Sequence, residues 1–193
     1  MPENRKPQHR HDPRSPLVLD TRELGRRAGS MRTVRLPAPA PADLGVELIG
    51  VPAGSDIDLD LRLESVMEGV LVSGTAAVQL AGECGRCLEP VAETLTVDLQ
   101  ELYAYPDRST DQTADEDETA RMEGDFLDLE PALRDAVVLA LPLTPLCRDD
   151  CAGLCAGCGE RLDDLPEDHQ HDAPDARWSA LQDLLHTRAP EEK

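Results

Sequence analysis

Between residues 57 and 64 apolar and polar side chains alternate without a break. Ile57, Leu59, Leu61 and Leu63 are set against Asp58, Asp60, Arg62 and Glu64. A period of two is the signature of a strand with one buried face. Residues 69–80, with Val70, Val72 and Val78, predict a second strand, in which Gly74 marks a candidate bulge. Alternation returns over residues 91–100, where Val91, Leu95, Val97 and Leu99 face away from Thr94, Thr96, Asp98 and Gln100. Three successive strands with short connections predict an antiparallel meander.

Upstream, residues 16–20 read as a short strand, 21–28 as a short helix and 31–36 as a further extended piece. Pro and Ala alternate over 37–41, which predicts a stiff connector. Residues 107–125 are rich in Asp, Glu, Thr and Ser and predict an acidic, disordered loop. A helix follows, with Asp128 as N-cap, Pro131 in the first turn, and Leu129, Leu133, Val137 and Leu141 on one face. Pro142 and Pro145 end it. Trp178, Leu181, Leu184 and Leu185 predict a second short amphipathic helix over 175–186. The expected fold is α+β: an antiparallel β-meander packed with one or two helices, plus a cysteine-rich zinc-knuckle segment toward the C-terminus. The expected organisation is a disordered basic tail (1–15), the α+β domain (16–145), a Cys/His metal-binding segment (146–174), and a C-terminal helix and tail (175–193).

Composition narrows the core. Aromatic residues make up only 2% of the chain, so Leu, Val, Ile and Ala must build it. Charge divides the molecule. Of 19 basic and 39 acidic residues, nine basic and four acidic ones lie in 1–35, leaving ten and 35 in the remainder. An acidic body repels phosphate backbones and attracts basic partners. The N-terminal cations Arg22, Arg26, Arg27, Arg32 and Arg35 are therefore the candidate RNA contacts. The N-terminal residues are charged and proline-rich, without the apolar stretch of a secretory signal. The longest apolar run, 136–143, is far short of the ~20 residues that a membrane span needs. No membrane association is expected, and the expected location is cytoplasmic, where thiols stay reduced and clustered cysteines point to metal.

All six cysteines fall in two clusters. The first is Cys84-Gly-Arg-Cys87, between two predicted strands, and the second holds Cys147, Cys151, Cys155 and Cys158, just after the proline-terminated helix. A C-x-x-C turn brings two thiolates to one tetrahedral ion. Gly85, Gly157 and Gly159 stand where positive φ turns backbone N–H groups toward the sulfurs. His169 and His171 follow in a polar stretch. Two pairings are open. In one, Cys84, Cys87, Cys147 and Cys151 hold one Zn2+, and Cys155, Cys158, His169 and His171 a second. In the other, Cys84, Cys87, Cys155 and Cys158 share a single ion. Residues 145–174 have almost no apolar side chains, so such an ion carries their structure. A thioredoxin-type redox pair wants its C-x-x-C at a helix N-terminus after a parallel strand, which this pattern does not offer. The motifs of a nucleophile elbow, a P-loop and a zincin helix are absent.

Three segments together resemble a known family. They are Cys84-x-x-Cys87-Leu88, the helix Leu-Glu-Pro-Ala-Leu-Arg (129–134) with Leu-Ala-Leu-Pro (139–142), and Pro-Leu-Cys147-x-x-x-Cys151-x-Gly-Leu-Cys155-x-x-Cys158-Gly159. The combination resembles the YceD family of large ribosomal RNA accumulation proteins. Where this chain has Arg161, members often carry Asn, and where it has His169-x-His171, they often carry C-x-C. The resemblance implies a non-enzymatic role in 23S rRNA accumulation and large-subunit biogenesis. Charge adds the expected partner, a basic ribosomal protein or pre-ribosomal particle, with rRNA contact through the N-terminal arm. The alternatives are a direct RNA-binding zinc-knuckle module and a thiol-redox or metal-sensing protein.

Overall fold

The computed structural model describes residues 14–106 and 120–171. Two compact units divide them: 14–85 with 89–106 and 120–147, and 86–88 with 148–171.

The first unit holds eight strands and one α-helix. The strands are β1 (Val18–Asp20), β2 (Met31–Pro39), β3 (Leu44–Gly45), β4 (Ile49–Val51), β5 (Asp56–Ser65), β6 (Gly69–Glu83), β7 (Pro90–Ala104) and β8 (Phe126–Asp128), and α1 spans Glu130–Ala140. The meander is present: β5, β6 and β7 pair consecutively and antiparallel, and β2 extends the sheet beside β5. β6 and β7 form a hairpin paired from Gly69↔Ala104 to Glu83↔Pro90. β4 takes up β6 beyond the end of β5, at Ile49↔Gly82, and β3 pairs β4. β1 and β8 make a separate two-stranded piece.

Alternation sets which face is buried. Ile57, Leu59, Leu61 and Leu63 of β5 are buried, as are Val70, Val72, Val78 and Leu80 of β6 and Val97 and Leu99 of β7. They join Leu133, Val137 and Leu141 in one aliphatic core, and α1 packs on β7 and β3. The Asp128 carboxylate accepts the Glu130 N–H at 2.9 Å. The N-cap position itself is Leu129, which makes no side-chain bond, and Pro131 lies in the first turn.

Several expectations are corrected. Residues 21–28 form turns rather than a helix. Asp20 accepts the Arg22 N–H, and Thr21 reaches Asp125 O through both its N–H and its hydroxyl, local bonds that compete with a helix. The supposed connector 37–41 contributes Pro37 and Pro39 to β2. Ladder bonds run toward β5 from the even-numbered residues of this segment (Ala40 N–H donates to Ser55 O, and Ser30 O accepts from Ser65), so both prolines point their nitrogens off the sheet. Gly74 is not a bulge, since the register runs unbroken through it on both sides. Its φ is +153°, and a Cβ there would stand 2.1 Å from Asp60 O, so the site admits only glycine. β3, β4 and β8 were unforeseen.

Of the stretch 107–125, residues 107–119 lie outside the described residues. Residues 120–125 are held, with Ala120 O and the Met122 N–H bonded to Ala104. Residues 1–13 and the expected helix at 175–186 also lie outside. Among the described residues there is one α-helix, and none is long and apolar enough to cross a membrane.

The second unit contains a short 3-10 turn, Leu162–Asp164, and a lone bridge, Leu154↔Arg161. Among its described residues the only buried apolar side chains are those of Cys87 and Cys151.

Two buried tyrosines make opposite predictions. The Tyr105 hydroxyl bonds the buried Ser65 hydroxyl at 2.9 Å, whereas the Tyr103 hydroxyl finds no partner among the described residues. Burial, then the Glu101 and Asp128 carboxylates, pushes the Tyr103 phenol well above its ordinary pKa. Tyr105→Phe should cost about 1–3 kcal/mol by orphaning Ser65, and Tyr103→Phe should be neutral or stabilising. Urea midpoints of the two variants, compared with the parent, check both.

Candidate metal centres

Each C-x-x-C pair sits in a turn of the same construction. In the first, the Cys84 N–H donates to Glu89 O at 2.8 Å; in the second, the Cys155 N–H donates to Glu160 O at 2.7 Å. The residue after the second cysteine is left-handed in both, Leu88 at φ +62° and Gly159 at φ +77°. Expectation and structure part here: Gly159 uses the conformation foreseen for it, but Gly85 and Gly157 do not, and Leu88 takes it without being glycine. A left-handed leucine is strained, and the closing bond to Glu89 belongs to the same turn. The shared pattern C-x-x-C-x-Glu, at 84–89 and 155–160, is visible in the sequence and is the signal that relates the two turns.

The remaining donors complete two groups of four. Ligand atoms of Cys84, Cys87, Cys147 and Cys151 all lie within 4.8 Å of one another, and so do those of Cys155, Cys158, His169 and His171. A tetrahedron with Zn–S bonds of about 2.3 Å has edges of about 3.8 Å, so both sets fit one tetrahedral ion each. Either group could hold a metal ion. Of the two pairings left open by the sequence, this grouping matches the two-ion one. Cys84 and Cys87 do not meet Cys155 and Cys158 in either group.

The groups differ in surroundings. Cys84, Cys87 and Cys151 are buried and only Cys147 is exposed, a thiol-only set suited to a soft ion. Arg86 braces its turn by donating to Cys151 O at 2.9 Å. In the second group Cys158 and His171 are exposed, and Cys155 and His169 are half-buried. There the two imidazoles stand edge to face, with Nε2 atoms 2.9 Å apart and His169 Nε2 3.6 Å from Cys158 Sγ. N–H groups of Cys158 and Gly157 hold the Cys155 thiol down to about 6, so a thiolate prevails at neutral pH. Gly157 serves a purpose missed by sequence reasoning: a Cβ there would stand 2.3 Å from His171 Cδ2. The glycine leaves room for the imidazole.

The candidate RNA-contacting arginines are placed differently. Arg22 pairs with Asp20, Arg26 with Asp125 at 3.6 Å, Arg32 with Glu23 at 3.0 Å and Arg35 with Asp60 at 2.9 Å. Arg26 also lies over the Tyr105 ring, 4.9 Å from its centroid. Arg22 and Arg32 line one shallow cavity with Asp20 and Glu23. Arg27 is exposed.

Among the described residues, an antiparallel sheet with a single α-helix and two four-donor groups define an α+β protein with candidate metal centres. The chain belongs to the YceD family: the family model for the large ribosomal RNA subunit accumulation protein YceD matches residues 72–185, which include all eight candidate ligands. Uncharacterized proteins of Mycobacterium tuberculosis and Mycobacterium bovis are each 48% identical to it over 171 residues, 89% of this chain and 82% of theirs. One of Mycobacterium leprae is 42% identical over 177 residues, 92% of this chain and 81% of its own. No solved structure matches the chain.

Gly157→Ala should push His171 off the second group and weaken zinc uptake there by about 10–100-fold, the range seen when ligand orientation is lost. Uptake by the four-cysteine group should be unchanged. Competition with a chromogenic chelator resolves the two, and His171→Ala should reproduce the defect.

Proposed function

We propose that the protein is a non-enzymatic, zinc-stabilised cytoplasmic factor that supports 23S rRNA accumulation and large ribosomal subunit biogenesis by engaging a basic ribosomal protein or pre-ribosomal particle. The observation that carries this reading is the family match, whose span contains both donor groups. Two Zn2+ per chain, one in each group, are the cofactors. Four protein donors saturate a tetrahedral ion, leaving none of the open positions that catalytic zinc keeps for water or substrate. Zinc therefore acts here on folding. Such a site is worth roughly 10–16 kcal/mol apparent, the scale of a whole domain's net stability of about 5–15 kcal/mol.

Charge favours a protein partner over direct rRNA contact. Net charge is −20, and four of the five candidate RNA-contacting arginines are matched with carboxylates. An Arg already paired has less to offer a phosphate, since its carboxylate must be displaced first.

The test couples metal content to partner capture. Protein purified without chelator should carry two zinc ions per chain and retain large-subunit proteins after nuclease treatment. Stripping the zinc should abolish capture. Capture that vanishes with nuclease would transfer the role to direct RNA binding. Absence of zinc together with freely reactive thiols would overturn the zinc-stabilised reading and favour thiol-redox chemistry.

A further inference from the structure

The sheet has two long outer strands, and they are finished differently. In the β6–β7 hairpin the Cys84 N–H donates to Glu89 O, which fixes the parity of the ladder. Odd-numbered residues of β7 bond to β6, and even-numbered ones point their N–H and C=O groups away from it. Both ends agree. Ala104, an even residue, turns outward to bond Ala120 and Met122, and the N–H that Pro90 lacks would also face outward. Leu102, also even, lies next to that anchored end. Ala92, Thr94, Thr96, Asp98 and Gln100 are left, and no backbone partner for them is present among the described residues.

β2 has the same problem and solves it with Pro37 and Pro39 in outward positions. β7 is protected by proline only at its first residue, Pro90. Beyond Pro90 it has no proline, and it has no glycine, lysine or arginine and no break in register over its 15 residues. Its only charges are Glu93, Asp98 and Glu101. A second copy added to this edge would set acids against acids, and a nucleic acid would be repelled. Beside the edge, on the core side, Val91 and Leu95 remain half-buried and offer an apolar strip to an incoming strand.

We propose that the open edge of β7, residues 92–100, is a docking site for one extended basic segment of a partner protein, which adds as a strand and sets its Lys or Arg side chains against Glu93 and Asp98. Main-chain bonds to the five outward residues supply affinity, and side chains supply selection. The proposal rests on the functional reading above and names the surface through which that partner is held.

The probe is the RNA-free protein mixture extracted by salt from purified large ribosomal subunits, added to the full zinc-loaded chain. Thr96→Pro removes one outward donor and no ladder bond, so the sheet persists; unchanged zinc content and circular dichroism check this. Capture of the bound protein should fall at least tenfold in Thr96→Pro. Amide exchange supplies a measurement that needs no variant: N–H groups of residues 94, 96, 98 and 100 should exchange fast in the free chain and become protected with the probe. Capture by the parent that is equal in Thr96→Pro, or protection that appears elsewhere, would overturn the edge while leaving the functional reading intact. Failure of the parent to capture any large-subunit protein would overturn both. Protection that grows with protein concentration alone would assign the edge to a second copy.

Discussion

A stretch of chain that buries almost nothing apolar must be held by something else. Residues 148–171 face that constraint, because among the described residues of their unit Cys87 and Cys151 are the only buried side chains. Hydrogen bonds alone contribute too little, since each exchanges with water for a net gain of about 1 kcal/mol. What the segment has is sulfur and imidazole, with Cys155, Cys158, His169 and His171 drawn together as four donors. Its turns, its glycine beside His171 and its left-handed residues all serve that gathering. Elsewhere in the chain the hydrophobic core does the corresponding work, built mostly of aliphatic residues with Tyr103 and Tyr105 among them.

Legibility follows the length of the repeat that each element leaves behind. β5 declares itself because four apolar residues alternate with four polar ones, and α1 because Leu133, Val137 and Leu141 fall at helical spacing. β3 and β4 span two and three residues, too few for any period; β6 outruns β5 and offers β4 a partner, and β4 in turn pairs β3. The helix expected at 21–28 was lost to Asp20 and Thr21, whose side chains bind nearby and distant backbone instead. Prolines at 37 and 39 read as a connector because sequence does not reveal which way a strand's nitrogens point.

In the candidate centres the residue types and their clustering were legible, while the pairing was open. Spacing along the chain ranks C-x-x-C turns as ligand pairs but does not say which pairs share an ion. That depends on where the hairpin tip and the segment after α1 end in space. The arginines of the N-terminal third show the complementary limit. Counting charges identified them as a basic arm, but counting cannot show that Asp20, Glu23, Asp60 and Asp125 sit beside four of them.

The prolines of β2 have a consequence for the fate of the protein at high concentration. Fibrillar growth requires each added sheet to present a fresh growing end opposite the one by which it joined. With Pro37 and Pro39 blunting one side, a molecule that joined through its other side would leave a poor template behind it. Such a unit behaves more as a chain terminator than as a link: it caps a growing sheet more readily than it lengthens one.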